Sequence, residues 1–190
     1  MNIPNRLTLS RIVLTILFLG ALFARFPYSE TVALVLFSIA SLTDYFDGKI
    51  ARERKLITNF GILMDPLADK ILICSAFIAF VDRDLMPAWM VVTIVARELT
   101  ITGLRLLAAS QQIVLAAEGF GKHKTISQIV AIVAILVLIS YKQWGRLGEL
   151  VFGFWISYFE FASIYVAVIL TVISGALYLW RNRHIYMQDM

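Results

Sequence analysis

Six apolar stretches run along this 190-residue chain, each close to the length a helix needs to cross a lipid bilayer. A hydrocarbon core about 30 Å thick takes roughly 20 residues of helix. The stretches fall at 7–26, 31–50, 62–81, 86–109, 125–142 and 158–180. Phe26-Pro27, Asp82-Arg83-Asp84 and Trp144-Gly145 supply turn or polar signals between them. The segment 143–157 reads either as an interfacial loop or as part of the last span. With 60% hydrophobic and 16% charged residues, the chain has more apolar surface than a soluble fold of its size could hide. A bilayer solvates that surface. The expectation is an all-α integral membrane protein of six transmembrane helices, with 1–190 as a single domain. The first apolar run exceeds a signal-peptide core and is taken as a retained span. The lone cysteine, Cys74, lies in an apolar run and reads as an inert thiol.

Cations set the orientation. With a cytoplasmic N-terminus, twelve of the Lys and Arg residues fall on the inner side and four (Arg25, Arg83, Lys142, Arg146) on the outer, with Lys70 inside a span. An even number of spans then puts both termini in the cytoplasm. The net charge of +4 suits contact with anionic headgroups, and no basic, aromatic-interleaved soluble module speaks for nucleic acid.

Carboxylates are expensive in such a chain, about 2.5–3.5 kcal/mol for an Asp at the centre of a span. Asp44 and Asp47 are three apart near the end of the second stretch, and Asp65 and Asp69 are four apart at the start of the third. Either spacing puts both carboxylates of a pair on one helix face. The short link from Lys49 to Phe60 predicts two neighbouring antiparallel helices, which gathers the four near the cytoplasmic surface. So many like charges repel unless neutralised, and two divalent ions would cancel them. Oxygen donors without clustered Cys or His favour Mg²⁺ or Mn²⁺. A solvated helix end, or pairing with Lys49, Arg52 and Lys70, accounts for one such Asp more readily than for four. Gly48, Ala51 and Gly61 stand beside the carboxylates, where bulk would block a flat ligand; helix packing explains each of them taken singly.

The run Asp44-Tyr45-Phe46-Asp47-Gly48-Lys49-Ile50-Ala51-Arg52, eight further residues, then Gly61-Ile62-Leu63-Met64-Asp65-Pro66-Leu67-Ala68-Asp69 fits the pattern D-x2-D-G-x2-A-R-x8-G-x3-D-x3-D. That pattern resembles the signature of the CDP-alcohol phosphotransferase family, with no departure at any fixed position. The opening Ile3-Pro4-Asn5-Arg6-Leu7-Thr8-Leu9-Ser10-Arg11, the Arg97-Glu98-Leu99 run and Gly121-Lys122-His123-Lys124-Thr125 resemble the branch whose acceptor is glycerol 3-phosphate. The resemblance implies a six-span homodimer in a bacterial inner membrane, with a cytoplasm-facing site for two metal ions and CDP-diacylglycerol as donor. It assigns Asp44, Asp47, Asp65 and Asp69 to the metals, with Asp69 also the general base. It places the donor against Asp44, Gly48, Ala51, Arg52 and Gly61.

Arg52 suits a donor phosphate, since a guanidinium binds phosphate oxygens in a bidentate way; the alternative is a positive-inside anchor. The acceptor's phosphate needs its own cations. Arg97 and Arg105 are eight apart, hence on one face of the fourth stretch, Lys122 and Lys124 enter from the following segment, and Arg11 from the first stretch. Such a cluster fits an anionic acceptor better than serine, and leaves inositol phosphate open; Lys122 and Lys124 read equally well as touching only headgroups. Glu98 is expected to steady an arginine. His123 and His184 read as solvated or interfacial, and Trp89, Trp144, Trp155 and Trp180 as an interfacial belt. A cation transporter also uses intramembrane Asp residues, yet the outer halves of the stretches offer no matching polar path. A purely structural scaffold leaves the aspartates without a purpose.

Overall fold

A computed structural model describes the backbone of residues 3–54, 59–111 and 119–187. The side chains of 3–8, 44–66, 69, 110, 119–120 and 187 lie outside the described residues. Among the described residues the structure is entirely helical: α1 (Ile3–Phe23), α2 (Ser29–Arg54), α3 (Asn59–Asp82), α4 (Ala88–Ser110), α5 (Gly119–Ser140), a 3-10 turn (Tyr141–Trp144), α6 (Gly145–Phe152), α7 (Ile156–Arg181) and α8 (Arg183–Met187). The long helices α1 to α5 and α7 fall on the six apolar stretches, each extending a few residues past one or both expected ends. Two helical stretches, Gly121–Phe152 and Ile156–Arg181, are long and apolar enough to cross a membrane. The apolar parts described in the first two helices, Leu9–Phe23 and Ser29–Thr43, are shorter.

The three expected breaks share one backbone device. Tyr28 (φ 64°), Asp84 (φ 56°) and Gly145 (φ 63°) each adopt a left-handed conformation, one at each break. Glycine does so at no steric cost, and Asp tolerates it better than most residues. Pro27 and Pro87 lie beside two of these breaks, and neither carries an N–H with which to prolong the preceding helix.

Large rings and small residues alternate in the core. Phe18 meets Phe37 at 5.6 Å between centroids, and Phe77 meets Phe80 edge-on at 6.5 Å. Ala33, Ala40, Ala76, Ala131 and Ala167 are fully buried between them. Such residues let helix backbones approach closely, which is how helices associate when lipid removes the hydrophobic drive between them. Over the described residues α1 packs against both α2 and α3, α5 against α2 and α7, and α4 against α3 and α7. Thus α1 packs against both signature-bearing helices, and the direct pairing of α2 with α3 expected from their short link falls on residues outside the described ones.

One end of the bundle is closed by a polar clasp. Arg83 donates from Nη2 to Glu30 Oε1 at 2.9 Å and from Nη1 to the Leu22 carbonyl at 3.2 Å. Gln143 donates to Glu30 Oε2 and accepts from Thr31 through Oε1, at 2.9 Å from its hydroxyl. Trp144 Nε1 in turn donates to Thr31 Oγ1 at 2.9 Å. The clasp ties the C-terminal ends of α1, α3 and α5 to the N-terminal end of α2. A 26-residue α2 is about 39 Å long at 1.5 Å per residue, so its last turns lie at the opposite end of the bundle. Those turns carry the first half of the signature.

Candidate active site

The backbone places Asp44, Asp47, Gly48, Ala51 and Arg52 in the last turns of α2, and Gly61, Asp65 and Asp69 in the first turns of α3. Their side chains lie outside the described residues. Helical backbone at both segments keeps the three- and four-residue spacings on single faces, as inferred. A donor set of carboxylates alone, in two such pairs, fits hard divalent cations such as Mg²⁺ or Mn²⁺.

Next to this signature stands an ion cluster centred on Glu98 of α4. The Glu98 residue is only 6% exposed. Its Oε1 pairs with the Lys124 ammonium of α5 and lies 3.3 Å from Nη1 of Arg97. Its Oε2 lies 3.5 Å from the Lys70 ammonium of α3. Lys70 also donates to the Glu98 carbonyl at 3.1 Å and to the Thr102 hydroxyl. Lys70 directly follows Asp69, so the last residue of the signature adjoins the cluster through the chain. A carboxylate buried among apolar helices is tolerated when paired and hydrogen-bonded, and Glu98 meets that condition with cations from three helices.

Arg97 reaches from α4 to α7. Its Nη2 donates to Ser174 Oγ at 3.2 Å, and its side chain lies across Gly175. Ser174 and Gly175 are both buried. The guanidinium therefore spans Glu98 on one side and α7 on the other, which a single-point ammonium could not do.

The expected acceptor cations divide into two groups. Arg97 and Lys124 come together on Glu98. Arg105, two turns further along α4, points elsewhere: its Nε donates to Tyr178 Oη at 3.2 Å, and its guanidinium lies over that ring at 5.6 Å. Lys122 is exposed, whereas Lys124 is 4% exposed and sits within α5, so the helix begins before the segment expected to be loop. Arg11 is buried on α1, where its carbonyl accepts the Thr15 hydroxyl at 2.8 Å. Glu98, expected to steady an arginine, holds two lysines as well. Lys70, Thr102, Ser174 and Gly175 were not singled out as site residues from sequence. Only Lys70 carried a usable signal, a cation placed inside an apolar run, to which α4 supplies an anion in Glu98.

Comparison with known proteins agrees with the signature. The profile of the CDP-alcohol phosphatidyltransferase family matches residues 1–173. A Bacillus subtilis (strain 168) protein named CDP-diacylglycerol–glycerol-3-phosphate 3-phosphatidyltransferase is 41% identical over 193 aligned residues, covering 95% of each chain. Proteins of the same name from Sodalis glossinidius and Salmonella typhimurium are each 33% identical, over 97% and 94% of this chain and 96% and 93% of their own. With the signature, the helical architecture and the matched length in agreement, this chain belongs to the CDP-alcohol phosphatidyltransferase family.

Proposed function

We propose that the protein transfers the phosphatidyl group of CDP-diacylglycerol to sn-glycerol 3-phosphate, giving phosphatidylglycerophosphate and CMP. The observation that carries the choice of acceptor is the charge balance of the Glu98 cluster. Among the described residues Lys70, Arg97 and Lys124 face one carboxylate, an excess of two positive charges. A phosphate monoester carries about −1.5 to −2 at neutral pH, as the second ionisation near pH 6 dictates. A neutral alcohol such as serine or free inositol would leave that excess uncompensated.

In this reading Asp44, Asp47, Asp65 and Asp69 hold two Mg²⁺ or Mn²⁺ ions at the junction of α2 and α3. When bound, the ions neutralise charge on the donor's pyrophosphate and favour in-line displacement. Gly48, Ala51 and Gly61 leave room for the donor's nucleotide, and Arg52 binds a donor phosphate. Arg97 and Lys124, held by Glu98, orient the acceptor through its phosphate; Arg11, Arg105 and Lys122 extend the positive field around them. Asp69 takes the proton of the attacking hydroxyl. The hydroxyl oxygen bonds to the phosphorus that carries diacylglycerol, and the bond from that phosphorus to the bridging oxygen breaks, releasing CMP. The same reading has α1 to α5 and α7 as six spans of one domain, with both termini and the site facing the cytoplasm of a bacterial inner membrane. It also has the chain working as a homodimer.

The test is CMP release by purified protein with CDP-diacylglycerol and Mg²⁺, offering glycerol 3-phosphate, serine, inositol and inositol phosphate separately. Turnover that requires glycerol 3-phosphate, and disappears in Asp69→Asn while donor binding persists, supports the proposal. Turnover with inositol phosphate instead would keep the site and change the acceptor, and retained activity in Asp69→Asn would remove that residue as the base.

A further inference from the structure

The segment 141–155 belongs neither to the active end of the bundle nor to a simple loop. The apolar stretch Gly121–Phe152 contains 32 residues, about 48 Å of helix, against a hydrocarbon core of about 30 Å. The 22 residues of α5 already span about 33 Å. The chain then turns, first through the 3-10 turn and then through the left-handed Gly145, into α6.

α6 has three distinct sides. Gly148 faces inward, so close to the preceding turn that a Cβ there would collide with the Tyr141 carbonyl. Phe152, one turn on, meets Trp144 at 5.5 Å and Trp155 at 5.7 Å. These contacts fix how the helix is rotated. The side carrying Leu147 and Leu150 is then turned outward, 74% and 81% exposed, with Phe154 in the following turn 88% exposed. Arg146 and Glu149 occupy the third side, and Lys142 in the turn before it is also exposed. The packing of α6 is against the 3-10 turn, outside the bundle of long helices.

We infer that α6 is an interfacial helix lying in the plane of the membrane boundary, at the end of the bundle opposite the aspartate signature. Leu147, Leu150 and Phe154 insert at the edge of the acyl region, and Lys142 and Arg146 lie at the level of lipid phosphates. A short helix with one apolar side and cations on its polar side binds a bilayer in this way. Two observations favour lipid over a second copy of the chain: the helix joins two segments of membrane-crossing length, and Arg146 and Glu149 on its charged side, taken with Lys142 of the preceding turn, leave one positive charge in excess, complementary to anionic headgroups. Its effect is to hold the depth of α5 and α7, which carry Lys124 and the α7 contacts of Arg97. The inference stands independently of the acceptor.

The experiment uses the full chain with Cys74→Ala and one introduced cysteine, Glu149→Cys, Leu150→Cys or Phe154→Cys, carrying an environment-sensitive fluorophore. The protein is placed in lipid nanodiscs, so that both faces of the bilayer meet the aqueous quencher. Emission at 150 and 154 should be blue-shifted and quenched several-fold more by brominated lipid than by iodide, with the reverse order at 149. Iodide quenching at 150 and 154 equal to that at 149 would overturn the inference. So would protection from both quenchers accompanied by energy transfer between labelled copies, which would assign the surface to a second copy. Phosphatidylglycerol should enhance the blue shift at 154, and Lys142→Gln with Arg146→Gln should abolish that enhancement; an unchanged enhancement would overturn the headgroup contact.

Discussion

A Cβ placed on Gly175 would stand 2.8 Å from Cγ of Arg97, so α7 offers this arginine a surface that only glycine provides. Nothing about the backbone of Gly175 demands glycine, since it lies inside a regular helix. The constraint comes from the neighbour. On α4 the same arginine is held by Glu98, and on α7 by Ser174.

Gly175→Ala should therefore act on function rather than on folding. Alanine is favoured over glycine in a helix interior by about 1 kcal/mol, which works against loss of stability. Displaced Arg97 should raise the apparent KM for glycerol 3-phosphate several-fold, with the KM for CDP-diacylglycerol nearly unchanged. Steady-state kinetics with each substrate varied in turn checks this. Equal rises in both would mean that Arg97 does not serve the acceptor.

Lys122 and Lys124 should behave differently despite their shared charge. Lys122→Gln removes an exposed cation and should raise the KM for glycerol 3-phosphate slightly, through the weakened field, while leaving thermal stability unchanged. Lys124→Gln removes one of three cations on buried Glu98 and leaves Lys70 and Arg97 to hold it, so it should lower stability by less than the about 3–5 kcal/mol of a buried charge left unpaired. Glu98→Ala should be at least as damaging, because Lys70, Arg97 and Lys124 lose their common anion. Thermal unfolding in detergent, followed by size-exclusion chromatography, separates these outcomes.

At the other end of the bundle, Glu30→Gln and Arg83→Gln should lower stability without altering either KM. The pair is 2.9 Å apart and partly exposed. A double-mutant cycle should give a coupling of about 1 kcal/mol or less, as for other solvent-screened pairs. A change in the KM for either substrate would show that the clasp communicates with the active end.

Gln128 offers a prediction of the opposite sign. It is fully buried, donates to Thr171 Oγ1 at 3.0 Å, and among the described residues finds no hydrogen-bond partner for its own Oε1. Thr171 already donates to the Ala167 carbonyl and needs nothing from Gln128. Gln128→Leu should be neutral or stabilising, because it removes a buried acceptor that gains nothing. Clear destabilisation in the same thermal assay would assign Gln128 a partner within the α5–α7 contact.

What the chain declares in one dimension is local. Long apolar runs specify helices of membrane-crossing length, because a bilayer leaves the backbone no other partners than its own. Pro27, Asp84 and Gly145 mark the breaks through backbone preferences that belong to single residues. The aspartate signature and the family it identifies are also local, since spacing along one helix determines which carboxylates share a face. The tertiary structure decided what depends on rotation and neighbours. Lys70 and Glu98 are 28 residues apart, and nothing short of packing α3 on α4 brings their charges together. Lys122 and Lys124 look alike in sequence, yet about half a turn of α5 separates them, exposing the first and burying the second. Gly175 owes its identity to an arginine on another helix. Residues 143–157 were ambiguous because apolar content alone does not separate a span from an interfacial helix. A left-handed Gly145, and Gly148 pressed against the Tyr141 carbonyl, resolve that ambiguity by fixing which way the apolar side points.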